Sequence, residues 1–462
     1  MNILFVLDSV HHFSYHESVI RALCARGHRL RLLYGEKRRG ESSDQAALLA
    51  EREIPELQLG RSIRRRDVFR PLLFGAREML TYASYQRRTD QSDFYRQRWR
   101  GYLPAPVRMA TRFAVGRALF THPCAQGLLR GVERLVPSSG TIRRYLQRNR
   151  PDVLVASPAN LMRCEEVEYL KAGAALGIPT VLPVLSWDNL TTKGLIHVQP
   201  DVLLAWNRTQ LQEAVSIHRV PAERIVVTGS PLFDKWFQAA RLLLDRAAFC
   251  RRVGLDPDRP FVAYLGSSKP IAEDETWLVR ELIAALRASS NPAMRQMGVL
   301  VRPHPGNAEV HQKLKADGIP VWPNEGTLPD TEEAVRDFYN TLAHCVAAAG
   351  VNTTGMVDAV ICDRPCVTVL TEQYSATQSL AVHFTQLLAA DVLEVTRGSA
   401  ECVGRIEALA NGQDARGALR RKFVLDFVRP RGLDRPAGEI AADAIELAGT
   451  GASADRINRK LG

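Results

Sequence analysis

The run NILFVL at 2–7 constrains this chain more than any other stretch, because it begins a strand–loop–helix–strand alternation. A polar loop, DSVHHF, leads into a helix expected over 14–26. Ser14 and Glu17 form a capping box, Val19, Ile20 and Leu23 share one face, and Gly27 ends the helix. RLRLLY at 29–34 reads as the next strand. Strand, loop, helix and strand in so short a span open a doubly wound parallel sheet. The alternation breaks over 61–150 and resumes at DVLVAS (152–157), PTVLPV (179–184), VLLAW (202–206) and RIVVTG (224–229). After the turn DPDRP (256–260) a second series runs through FVAYLG (261–266), GVLVRP (298–303), PVW (320–322), HCVAAAG (344–350) and CVTVL (366–370). Helical segments are expected near 373–390, 400–411, 414–427 and 436–449. The expectation is an α/β chain with two Rossmann-like domains facing a cleft. They span 1–235, interrupted by a basic helical insertion at 61–150, and 236–430; a C-terminal helix and tail, 431–462, pack back toward the first. The chain's 462 residues suit two domains.

Charge is uneven along the chain. Residues 61–150 hold 20 Arg, no Lys and 5 acids, an excess of +15 where the whole chain carries +11. A solvated helical face accounts for such a segment, and so does an anionic membrane surface as partner. No RNA-binding motif accompanies it, which argues against nucleic acid. The eight cysteines are scattered and form no C-x-x-C pair, so neither a zinc site nor a disulfide framework is expected. The N-terminus lacks the basic region of a signal peptide and meets Asp8 at once. No run of about 18 apolar residues occurs. These features fit a cytoplasmic protein, peripheral at the inner face of a membrane if the basic segment docks there.

Ligands of open α/β sheets bind beyond the carboxyl ends of the strands, so the residues just after each strand carry the functional reading. Gly266, Ser267, Ser268 and Lys269 offer a close turn, hydroxyls and a cation to a diphosphate, without being a P-loop. Arg302 and His304 stand in RPHP, a corner stiffened by two prolines and suited to phosphate or ribose oxygens. Asn352, Thr353 and Thr354 stand at an expected helix start, which favours anions, with Asp358 a turn further on for ribose hydroxyls. Each motif alone can also be read as a cap or turn; three in one half point together to a phosphate.

In the first half, His11 and His12 come after the first strand as candidate bases, and His16 on the helix reads as exposed. Asp188 is the alternative base. Trp187, Asn189 and Lys193 in SWDNLTTKG suit a sugar or polyol, as do Glu372, Gln373, Gln378 and His383 after the last clear strand. Leu380, Val382 and Phe384 read as helical core. No metal-ligand pattern is seen.

Two such halves, a His loop after the first strand, RPHP and a polar helix start after A-A-G resemble the GT-B glycosyltransferases. The nearest likeness is to bacterial CDP-glycerol glycerophosphotransferase-like proteins and the sialyl- and Kdo-transferases that use CMP-sugars. His304–Pro305 is similar to their His-Pro motif, and Ser267–Ser268 or Thr353–Thr354 to their Ser/Thr-rich motif. The paired glutamates of retaining members and the Asp/Glu-Asp/Glu-Gly motif of sialyltransferases are missing. The resemblance implies a metal-independent transferase with no cofactor, and inversion is expected because the retaining motif is missing. It would move a sugar from a nucleotide-activated donor to a cell-envelope glycan or lipid-linked acceptor. A CDP-glycerol-type polyol-phosphate transferase is the alternative, and a basic nucleic-acid- or lipid-binding adaptor a distant one.

Overall fold

The computed structural model describes residues 1–35, 54 and 56–462. The chain divides into two compact units, Met1–Asp234 with Leu425–Gly462, and Lys235–Val424.

The first unit is built on strands β1 (Asn2–Leu7), β2 (Arg29–Tyr34), β3 (Leu57–Arg61), β4 (Val153–Ser157), β5 (Thr180–Pro183), β6 (Val202–Ala205) and β7 (Ile225–Val227). All pair in parallel, in the order β3-β2-β1-β4-β5-β6-β7. Helices cover both faces, which is why β1 is almost uniformly apolar and buried rather than alternating. On one face Phe5 and Leu7 share a core with Val19, Ile20 and Leu23 of helix Phe13–Ala25, and with Ala441, Ala444 and Ile445 of helix Ala437–Gly449. On the other, Leu4 and Val6 pack with Leu154, Ala156, Tyr169 and Leu170. The two helices meet at Gly438, where any Cβ would strike Ser18. Asp234 pins the C-terminal helix: its carboxylate accepts from the N–H groups of Ala437 (3.0 Å) and Gly438 (2.8 Å) and from Arg429 (2.7 Å).

Helices Arg70–Arg87, Asp93–Gly101, Ala105–Ala110, Ala114–Thr121, Pro123–Leu135 and Gly140–Asn149 lie between β3 and β4. A solvated insertion describes only part of this stretch. Leu73, Tyr82, Tyr85 and Trp99 are buried. Arg77, 5% exposed, forks onto Glu133 (2.7 and 2.9 Å) and reaches Glu168 (2.6 Å), which also accepts from the buried Arg65 (2.8 Å). Several of the segment's arginines are therefore internal braces. Met109, Phe113, Val115 and Leu119 are exposed.

The second unit holds β8 (Phe261–Leu265), β9 (Gly298–Arg302), β10 (Ala348–Gly350), β11 (Cys366–Val369) and β12 (Glu394–Thr396), parallel, in the order β12-β11-β10-β8-β9. Its core gathers Val262, Tyr264, Val299, Val301, Ala349 and Val367 under Leu278, Leu282 and Ile406. Here the structure departs from the pattern reading. PVW is not a strand; Val321 makes a single bridge to Val301. The edge strands β3 and β12 were not expected: β3 is polar and largely exposed, and β12 has three residues. Leu380 is exposed rather than core, while Phe384 is buried.

Candidate functional site

In the second unit the chain leaves β8 for β9 on one side and returns to β10 on the other. The crevice where strand order reverses lies between β8 and β10, and ligands of open α/β sheets bind at such a point. Ser267 stands just after β8 and Asn352 just after β10. The Asn352 N–H donates to Ser267 Oγ (3.4 Å), so the two loops touch across the crevice.

A third loop joins them. Asn307, in the turn after RPHP, donates from Nδ2 to the carbonyls of Ser267 (3.4 Å) and Ala272 (2.9 Å). Glu275 organises the cluster and has no counterpart in the sequence reading. Fully buried, it accepts from the Ser267 N–H, from Ser267 Oγ (3.3 Å) and from the Tyr264 hydroxyl (3.1 Å). His311, also fully buried, sets Nε2 3.6 Å from Glu275 and Nδ1 3.0 Å from the Asn307 carbonyl. Burial lowers the His311 pKa, but Glu275 and the Asn307 carbonyl outweigh it and the result is a raised value. Gly266 is small for the same reason. A Cβ there would sit 3.0 Å from the His311 ring and 3.2 Å from the Arg302 carbonyl.

His304 stands at the rim, half-buried. Its Nδ1 accepts from the Gly306 N–H (3.0 Å), which puts the ring proton on Nε2 as a donor. Burial, and then the charge of His311, lower its pKa to about 4, so the ring is neutral at physiological pH. Thr353 caps helix Thr354–Ile361, its Oγ accepting from the Gly355 N–H (3.4 Å), and both threonines stay partly exposed. Ser268 is partly exposed and Lys269 exposed.

Other candidates are turned inward. Arg302 is 4% exposed and donates to Thr341 Oγ (2.9 Å) and the Asp337 carbonyl (3.4 Å), its guanidinium over the Phe338 ring; burial lowers its pKa to about 10. It braces helix Glu332–His344 instead of presenting itself to a phosphate. Gln378 is fully buried and spends its amide on the carbonyls of Val351 (2.9 Å) and Val369 (3.0 Å), on Thr368 Oγ (3.2 Å) and on the Thr371 N–H (3.2 Å). It is a structural clamp, not a sugar contact. His383 is buried against Asn352 (3.3 Å), whose Nδ2 also donates to the Thr377 carbonyl (2.7 Å). Asp358 is buried and accepts from Trp236 Nε1 (2.6 Å); burial raises its pKa to about 6, against the pull of Lys235 and Trp236. Glu372 and Gln373 are exposed.

In the first unit the reversal lies between β1 and β4. His11 and His12 form a 3-10 turn after β1 and are half-buried. His16 is buried, not exposed: its Nε2 lies 3.0 Å from Ser157 Oγ at the end of β4, and burial lowers its pKa to about 3. Asp188 is engaged within its own loop, accepting from Ser186 Oγ (2.5 Å) and Thr192 Oγ (2.8 Å) and pairing with Lys193 (3.1 Å). It braces a turn, which makes it a poor base. Trp187 and Asn189 are buried. Tyr85 donates to the carbonyls of Thr191 and Lys193 (2.9 Å each), tying helix Arg70–Arg87 to this loop. Among the described residues, no cluster of His, Cys, Asp or Glu could hold a metal ion. Nor is any helix there long and apolar enough to cross a membrane.

No protein-family model matches the chain, and a search of curated proteins finds no match. Solved structures do match. A Staphylococcus aureus MnaA–UDP co-structure is similar at a TM-score of 0.53 and 12% identity, covering 96% of both chains. A Neisseria meningitidis UDP-GlcNAc 2-epimerase bound to UDP-GlcNAc matches at 0.54 and 10%, covering 96% of this chain and 100% of that one. A glycosyltransferase from Rickettsia africae matches at 0.54 and 9%, covering 98% and 99%. The fold is GT-B. At these identities the likeness extends to the fold and does not single out the groups that use CDP-glycerol or CMP-sugars.

Proposed function

We propose that this GT-B chain is a glycosyltransferase that moves a sugar from a nucleotide-sugar donor to a cell-envelope glycan or glycolipid, without a metal ion and with inversion. The supporting observation is His304. It is a neutral imidazole with a donor-ready Nε2, held at the rim of three strand-end loops that meet at the β8/β10 reversal. In the proposed reaction the acceptor hydroxyl attacks the anomeric carbon as the bond to the nucleotide's terminal phosphate breaks. An imidazole, His11 or His12, takes the hydroxyl proton. The leaving phosphate's growing charge meets the His304 Nε2–H, Lys269, the hydroxyls of Ser268 and Thr353, and the positive end of helix Thr354–Ile361. Such preorganised donors do the work a metal does elsewhere.

UDP-linked donors come first, because solved structures of this fold carry UDP or UDP-GlcNAc. The test is binding and turnover across UDP-, GDP-, CDP- and CMP-sugars. His304→Ala is expected to weaken donor binding at least tenfold, about 1.4 kcal/mol. Absence of binding to every nucleotide, or unchanged binding in His304→Ala, overturns the reading. A second reading, a nucleotide-sugar epimerase, is favoured by the whole-chain match to the Neisseria epimerase. Product analysis separates them: an epimerase converts the donor sugar without an acceptor, whereas a transferase releases nucleotide only as acceptor is consumed.

A further inference from the structure

Five arginines of the first unit line one cavity. It measures about 570 Å3 and lies between helices Arg70–Arg87 and Pro123–Leu135 and the segments that precede β6 and β7. Its lining includes Leu195, which continues the loop after β5, and Arg88, which donates to the Thr191 carbonyl of that loop (3.3 Å). Arg87, Arg88, Arg130, Arg134 and Arg219 line it.

Their partners are few. Arg88 pairs with Asp90 (2.7 Å). Among the described residues, Arg130 reaches the Gln126 side-chain carbonyl, at 3.4 Å. Among the described residues, Arg87, Arg130, Arg134 and Arg219 form no pair with a carboxylate. The lining carboxylate, Glu133, is already committed to Arg77 (2.7 Å) and Lys171 (2.8 Å). Arg130 lies close enough to the other three to feel their charge. Burial, and then the charges of Arg219, Arg87 and Arg134, lower the pKa of Arg130. The lining histidines add no further positive charge: burial lowers His197 to about 3 and His218 to about 4, leaving both neutral.

Like charges around a hollow repel one another; Arg87, Arg134 and Arg219 are solvent-exposed and so partly screened, and an anion in the hollow would relieve the repulsion that remains. A guanidinium fork matches the paired oxygens of a phosphate, and the volume is that of a small-molecule site. We propose that this cavity is a second binding site, for a phosphate-bearing group, separate from the proposed donor site in the second unit. The group is either a free phosphate compound or the headgroup of a phospholipid, two sources of one chemistry.

Calorimetry on the full chain tests this with two probes, inorganic pyrophosphate and a short-chain phosphatidic acid below its micelle concentration. His304→Ala is used as background, so that donor-site binding does not interfere. At least one probe is expected to bind one-to-one, and at least tenfold more weakly to Arg130→Ala/Arg219→Ala and to Arg87→Ala/Arg134→Ala. Stronger binding of the phosphatidic acid assigns a lipid headgroup, and equal or stronger binding of pyrophosphate a free phosphate. Thermal melts confirm that each variant is folded, and the two pairs guard against one that is not. The proposal is overturned if neither probe binds, or if both variants bind as the parent does. It fails independently of the donor reading, which stands or falls on His304.

Discussion

Single residues in both units are placed by what surrounds them. Gly266→Ala would push a methyl against the His311 ring and the Arg302 carbonyl. We expect a loss of about 1–3 kcal/mol, read from urea unfolding, because the backbone on one side cannot yield. His16 gives a pH dependence. Its folded pKa of about 3 lies below the ordinary 6.5, so the unfolded chain takes up the proton first as pH falls. The stability it contributes is whole above pH 6.5 and is lost as pH drops toward 3, at up to about 1.4 kcal/mol per pH unit. His197 and His218 act in the same direction. The melting temperature should fall from pH 7.5 to pH 5, and His16→Gln should flatten that slope. The polar strand ends GSSK, RPHP and VNTT stand out in the chain because their residue types are uncommon beside apolar runs. Glu275 does not, since an acid in a polar loop looks solvated until Tyr264, Ser267 and His311 are seen around it. Arg302 and Gln378 misled for the converse reason. Residue type records a capacity for hydrogen bonds, not the direction in which the side chain turns.

Elements differ in how far pattern alone reveals them. β1, β4, β8 and β9 are buried on both faces, so they appear as unbroken apolar runs. β3 and β12 lie at sheet edges, where burial is partial or the strand is too short to show a period. The basic helices between β3 and β4 read as one surface feature, yet helix Arg70–Arg87 is largely interior. Arg77→Met is expected to cost about 3–5 kcal/mol in chemical denaturation, because Glu133 and Glu168 would keep buried charge with its main partner gone. A variant that removes only exposed charge, such as Arg143→Gln, should change stability by less than about 0.5 kcal/mol.

At the scale of the whole molecule, the C-terminal segment belongs to the first unit across nearly two hundred residues of intervening chain. Helix Ala437–Gly449 covers Val19, Ile20 and Leu23. Deleting 437–462 should leave that apolar face bare, and is expected to lower the first unit's melting temperature and raise dye binding to exposed apolar surface. The periodicity of apolar runs by itself determined that the chain forms parallel α/β sheets in two series, because burial on both faces imposes that pattern locally. Which strand lies beside which, which side chains meet at a reversal of strand order, and which arginines brace the core or ring a cavity were decided only by the tertiary structure. Those outcomes depend on contacts between residues far apart in the chain, such as Ser267 with Asn352 and Arg77 with Glu168. No local pattern encodes such distances.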